Sequence, residues 1–335
     1  MKFSVGYQLF EDESFINEII KYKENIAEVY FSWGDFPNGR NNQLKRSDML
    51  PFEAGEKQRA DLKKLSEAGI FVNLLFNATC YGKSSQSKAF FEKVGDTVHY
   101  ISHSYLLNGI TTTSPLIARF IKENFEKLDV RASVNMSVGS VEGFEYISDY
   151  FDSFYLKREL NRDFHKITEI KNWCDANGKK LYALANSGCL NHCSAHTFHD
   201  NLVSHEAEIA EMDNGYNFSG VCRDFLKKEG NIYRIFDVSS FIRPEDTALY
   251  EGIFPSLKLA TRVHSDPFSV LKAYIGDQKY SHNILSLLEP NHASTLYPFI
   301  VDNTKIKSEL KDGKLIYSNE NAAILKLEED VYVNE

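Results

Sequence analysis

The chain of 335 residues is 43% hydrophobic and 25% charged, which excludes a disordered chain and leaves room for one large domain or two smaller ones. No apolar run reaches the length of a membrane span, and a formal charge of -9 argues against a surface that coats nucleic acid, although a local basic groove is compatible with it. Five cysteines are too sparse and uneven for a disulfide framework, and Met1 to Tyr7 lacks a signal-peptide core, so we expect a cytoplasmic protein whose thiols bind metal or are simply buried.

In chain order, β-rich runs are predicted at Phe3 to Leu9, Ala27 to Trp33, Ile70 to Asn77, Ile110 to Thr113, Val130 to Asn135, Ser153 to Lys157, Lys180 to Asn186 and Ser256 to Thr261. Helical patterns fall between them. Ser114 reads as an N-cap with Pro115 in the first turn, followed by Leu116, Ile117, Phe120 and Ile121 at helical spacing. From Asn161 to Gly178 the apolar face is Phe164, Ile167, Ile170 and Cys174, which makes Cys174 a small buried hydrophobe. Asp266 and Pro267 open a further segment that carries Phe268, Leu271 and Tyr274 and that Gly276 closes. Eight such units predict a (β/α)8, TIM-barrel-like α/β domain over residues 1–300, with an open doubly wound sheet as the alternative. Residues 301–335 form a predicted C-terminal extension in which Lys311-Asp312-Gly313-Lys314 reads as a hairpin turn; its edge would pair with a partner or cover the barrel's base.

Two cysteines and four histidines are concentrated in ANSGCLNHCSAHTFHDNLVSH, residues 185–205. If Lys180 to Asn186 is the seventh strand, Cys189 and Cys193 lie just past its C-terminal end, on the face where barrel enzymes keep their chemistry. The connection over residues 187–240 is long enough to be functional or to carry extra structure, and it holds Cys222 beside Gly220. Cys80 follows the third strand and is expected on the same face. Four thiols without disulfides suit an iron-sulfur cluster or zinc, and spacing alone does not choose. Cys80 is equally readable as packing, and His192, His196, His199 and His205 are mostly readable as surface polar residues. The stretch Cys189 to His196 also resembles the CxxxCxxC motif of radical S-adenosylmethionine enzymes, with His196 in the third place and the seventh strand, not the first, before it.

Several separated segments, in order, resemble the collagenase-like peptidase family U-32. Glu28-Val29-Tyr30-Phe31 is similar to the family's second-strand segment and Val72 to Asn77 to its third. Tyr155-Leu156-Lys157-Arg158-Glu159-Leu160 matches its Arg-Glu-Leu signature. Ile242-Arg243-Pro244-Glu245-Asp246 and Ser256 to Arg262 resemble its Pro-Glu-Asp and Ser-Leu-Lys segments, with Ala260-Thr261 where the family has Glu-Gly. The resemblance covers roughly residues 1–280. It implies the barrel fold, a 4Fe-4S cluster on Cys189, Cys193 and Cys222, and oxygen-independent hydroxylation of a small molecule or an RNA base. Cys80 is added as fourth ligand on position alone.

Polar groups at the strand ends fit small-substrate chemistry. Arg158 and Glu159 are the candidate catalytic pair, Arg158 for bidentate recognition of a carboxylate or phosphate and Glu159 to orient it or transfer a proton. The bland reading is an ion pair closing the barrel mouth. Asn77, Asn135, Lys258 and Arg262 are candidate substrate-binding residues, Lys258 as a point charge. Proteolysis is the alternative. The chain lacks HExxH, since His205-Glu206 is followed by Ala207, Glu208 and Ile209, and it lacks GxSxG, leaving Cys193 with His196 or His199 as a possible thiol pair. A third alternative is a non-catalytic, cluster-bearing subunit that works beside a homologous partner.

Overall fold

All eight runs form strands, and each pairs in parallel with the next in the computed structural model, which describes residues 1–39, 49–209, 211–213, 215–216 and 218–327. The strands are β1 (Phe3–Gly6), β2 (Ile26–Phe31), β3 (Phe71–Phe76), β4 (Leu107–Thr112), β5 (Asp129–Ala132), β6 (Ser153–Tyr155), β7 (Lys180–Leu184) and β8 (Leu257–Leu259). β8 closes on β1 with Phe3 opposite Leu257 and Ser4 opposite Lys258, so the sheet is a closed (β/α)8 barrel and not an open doubly wound sheet.

The outer helices start where local chemistry caps them. Ser114 Oγ accepts from Ile117 N at 3.3 Å to open the helix Pro115–Asn124, and Asp266 Oδ1 accepts from Ser269 N at 3.0 Å to open Pro267–Leu271. The helix expected from Asn161 begins at Phe164 instead, because Asp163 takes the cap and Asn161 turns inward to donate to the Leu184 carbonyl. Cys174 is fully buried on that helix, as its apolar spacing implies.

Strand alternation divides the barrel wall in two. Phe3, Val5, Val29, Phe31, Val72, Leu74, Ile110, Val130, Phe154 and Leu257 join the apolar layer under the helices. Each fully buried side chain of this size contributes about 1.5–3 kcal/mol. The opposite parity is polar: Ser4, Glu28, Asn73, Thr111, Arg131, Ser153 and Lys258 are all buried. At the floor, Arg131 donates to Glu28 Oε1 at 2.6 Å and to Asp129 Oδ2 at 2.8 Å, while Ser4 and Asn108 also donate to Glu28 and Ser153 to Asp129. Burial opposes the Asp129 charge, but Arg131, Ser153 and Lys180 outweigh it and hold that carboxyl below its usual range. Gly6 has no room for a side chain, since a Cβ there would stand 2.7 Å from the Tyr30 hydroxyl and 2.8 Å from the Arg262 nitrogen.

Beyond the barrel, Phe299–Val301 pairs with Ile324–Lys326, and Lys307–Lys311 forms an antiparallel hairpin with Lys314–Ser318. Asp312 and Gly313 both take positive φ, 47° and 66°, as a two-residue turn of the Asp-Gly kind requires. The hairpin does not cover the base. Gly313 accepts from Phe164 N, Leu315 N donates to Arg162, and Tyr317 Oη accepts from Arg243 N, which seats it on the mouth side, against the connection after β6 and the segment before β8. The last eight residues of the predicted extension, 328–335, lie outside the described residues. Among the described residues no helix is long and apolar enough to cross a membrane.

Candidate functional site

A cavity of about 470 Å³ opens at the C-terminal ends of the strands. Its roof is the segment after β7. That segment leaves β7, carries the helix His196–Ser204, and is tied to the far rim after β3, where Ser204 Oγ accepts from Thr79 N at 3.0 Å and Asn201 Oδ1 from Thr79 Oγ at 2.7 Å. Gly188 is required at the start of the crossing, since a Cβ there would collide with the Pro290 carbonyl.

Three thiols line the cavity: Cys189, Cys193 and Cys222. Cys222 reaches it from the short helix Val221–Lys227, whose preceding residue, Gly220, has φ +94°. Burial, followed by the neighbouring Cys189 and Cys193, pushes the Cys222 thiol up to about 11. Cys80 is not among the lining residues. It stands with His205, whose hydrogen bond draws the thiol below its usual value, while His205 is raised by Cys80 and lies 3.4 Å from Glu208. The four-thiol expectation therefore becomes three thiols on one wall, with Cys80 set apart. The reason is geometric, because β3 and β7 are four places apart in a ring of eight and their following loops start on opposite sides of the mouth.

Among the described residues no group of three or more His, Cys, Asp or Glu is gathered tightly enough to hold a single metal ion. A cluster asks for something wider, since each thiolate binds a different iron. The donor chemistry of three soft sulfurs facing one cavity fits three corners of such a cluster. His199, Asp200 and Glu206 line the same cavity and supply nitrogen or oxygen donors.

Arg158 sits at the cavity wall on the turn Arg158–Leu160 after β6. Its Nη1 donates to His196 Nε2 at 2.6 Å, its Nη2 to Asn135 Oδ1 at 2.7 Å, and its buried Nε has no partner among the described residues. Asp200 Oδ2 is 3.5 Å from the same His196 nitrogen, too far to displace the guanidinium. Burial, then the Arg158 charge, holds His196 below its ordinary value, so the imidazole is neutral with Nδ1 carrying the proton toward Ser137 Oγ. Ser137 itself has φ 54°, a left-handed conformation at the edge of the site. Asn135 Nδ2 in turn donates to the Asn77 carbonyl at 3.4 Å, which joins Asn77, Asn135, Arg158 and His196 into one polar chain.

Glu159 does not face the cavity. Its Oε1 accepts from His192 N at 3.2 Å and its carbonyl accepts from Ser240, so it holds the cysteine loop from behind. No ion pair links it to Arg158; its Oε1 lies 3.6 Å from Lys157 Nζ. Lys258 and Arg262 both line the cavity and are almost wholly buried. Lys258 Nζ lies 3.9 Å from the centre of the Tyr30 ring and 5.0 Å from that of Tyr155. His196, expected beside Cys193, is instead the partner of Arg158, and His205, grouped with the surface histidines, is the partner of Cys80; both pairings depend on how the roof crosses the mouth, which spacing does not reveal.

No protein-family model matches the chain. Over 274 residues, covering 80% of this chain and 77% of the relative, it is 24% identical to a protein of Methanocaldococcus jannaschii described as Uncharacterized protease MJ1657. Among solved structures it is similar to the U32 Peptidase Mk0906, with a TM-score of 0.54 and 15% identity over 77% of this chain and 91% of that one. The second likeness concerns the fold.

Proposed function

We propose that this chain is a U-32 peptidase family protein, in keeping with its likeness to the protease of Methanocaldococcus jannaschii and to the U32 Peptidase Mk0906, and that its barrel mouth holds a 4Fe-4S cluster on Cys189, Cys193 and Cys222 and modifies a small molecule or an RNA base by oxygen-independent hydroxylation or a related reaction. The observation that carries this reading is the set of three thiols on one wall of a cavity whose other walls present Arg158, Arg262 and Lys258. A bound cluster supplies one-electron chemistry. The chain's own residues do the rest: Arg158 offers a cationic fork for an anionic group, Asn77 and Asn135 offer amides for a polar edge, and neutral His196 fixes the guanidinium plane. Glu159 positions the cysteine loop. Zinc on the same thiols is the competing assignment, and a homologous partner subunit is compatible with either.

Anaerobic purification with iron, zinc and acid-labile sulfide analysis tests the reading. Iron with sulfide is expected, Cys189→Ala and Cys193→Ala lose most of the iron, and Cys174→Ala keeps it. Full zinc occupancy without sulfide overturns the cluster. A second reading, thiol-dependent peptide hydrolysis, is favoured by a different pair from the one the sequence suggested. Cys193 cannot use His196 as a base while Arg158 occupies its Nε2, whereas Cys80 and His205 shift each other toward thiolate and imidazolium. Cleavage of a peptide that disappears in Cys80→Ala and persists in Cys193→Ala would select it.

A further inference from the structure

We propose that Lys258 is an amine nucleophile that condenses with the carbonyl of a small anionic 2-oxo acid at the floor of the mouth cavity. The site is built from several strands. Lys258 lies on β8 between β1 and β7, is 6% exposed, and lines the cavity. The rings of Tyr30 on β2 and Tyr155 on β6 flank its Nζ at 3.9 and 5.0 Å, leaving the nitrogen in aromatic surroundings on those sides.

No carboxylate pairs with this nitrogen among the described residues. The acid that faces it, Glu28, is engaged by Arg131 through both oxygens, by Ser4 and by Asn108. Arg262, Arg131 and Arg158 all oppose the charged form of Lys258 electrostatically. Two influences favour the ammonium, namely Glu28 and the ring faces. Burial comes first on the other side, with Arg262 after it, and together they bring the amine down to about 7. An ordinary lysine is neutral in only about one molecule in a few thousand at pH 7. Burial moves the Lys258 amine toward its neutral form, which suits it poorly as a fixed point charge and well as a nucleophile.

The cations around it specify the substrate's other end. Arg158 presents in the same cavity a buried Nε without a partner among the described residues, and Arg262 lines it. A carboxylate beside the reacting carbonyl would be held by these guanidinium groups while the carbonyl carbon meets Nζ. In the condensation the nitrogen lone pair forms the N–C bond, and the carbonyl oxygen takes a proton from that nitrogen. It then leaves as water with a second proton from solvent. The product is an iminium, whose charge takes the place of the ammonium's, and no oxidant or reductant is consumed. The proposal shares the cavity with the cluster but does not depend on it.

The experiment is reductive trapping. The purified protein is incubated at pH 7 with pyruvate and cyanoborohydride, digested, and mapped by mass spectrometry. The expected result is a secondary-amine adduct on Lys258, labelled roughly tenfold or more above the average of the other lysines, present also in Cys189→Ala and absent in Lys258→Arg at an unchanged melting temperature. Adducts spread over surface lysines with Lys258 unmodified overturn the proposal whatever the iron content, whereas an adduct on Lys258 in a protein without iron leaves this proposal standing and removes the cluster.

Discussion

The floor and the mouth of the barrel hold the same kinds of residue in opposite states. At the floor, Arg131 is enclosed by Glu28 and Asp129, and the same two carboxylates also accept from Ser4, Asn108 and Ser153. Among the described residues at the mouth, Arg158 has amide and imidazole partners but no carboxylate, its Nε has no partner, and Lys258 lies against the Tyr30 and Tyr155 rings without an ion pair. Charges that are satisfied in place hold strands together. The arrangement at the mouth fits the anionic ligand proposed above.

The largest effect expected from breaking this contrast is at the floor. Arg131→Ala leaves Glu28 buried with its main partner gone, and should cost about 3–5 kcal/mol in urea unfolding; a loss comparable to a surface substitution would mean that water or a neighbour already satisfies Glu28. The mouth should respond in the opposite direction. Lys258 has its amine lowered in the folded state, so between about pH 7 and the ordinary lysine range the unfolded chain holds more protons, and stability rises with pH across that window. Below it the cost of the buried ammonium is fully present. Relative to Lys258→Met, the parent should therefore gain stability from pH 7 toward 10, by no more than about 1.4 kcal/mol per pH unit. Parallel stability curves for the two proteins would show that Lys258 is not perturbed.

The smallest expected change sharpens the comparison at Arg158. Arg158→Lys keeps the charge and loses the fork, so affinity for an anionic ligand should fall by about 1–2 kcal/mol with the melting temperature and cluster absorbance unchanged. Were Arg158 structural in the manner of Arg131, the replacement would lower stability instead and leave affinity intact.

The barrel itself was legible because its strands are apolar runs of β-branched and aromatic residues separated by capped helices, and Ser114 and Asp266 cap where they were expected to. β1 stops at Gly6, short of the predicted Leu9, because the chain there must pass the Tyr30 hydroxyl. The floor network was missed. Glu28 and Arg131 interrupt otherwise apolar strands at the inward parity, a signal that was present, but a parity has no meaning until the ring is closed and its interior defined. Cys189 and Cys193 stood out because they follow one strand end, and Cys222 because Gly220 flanks it in the long connection beyond; the fold brings all three to the lining of one cavity. Cys80 was misplaced because position along the chain says on which face a residue lies and nothing about its bearing around the ring. Arg158 and Glu159 are adjacent in sequence, yet one faces the cavity and the other backs the loop.

The connection after β7 is moored on one side where it leaves the strand, and on the other where Asn201 and Ser204 grip Thr79. It is thus an arch with two abutments, not a cantilever, and Cys193 sits in its span. A free loop would let its thiols wander independently of the wall beneath. An arch shares its support between both banks, so the hydrogen bonds of Thr79, on the opposite bank of the mouth from Cys189, are part of what holds the span that carries Cys193.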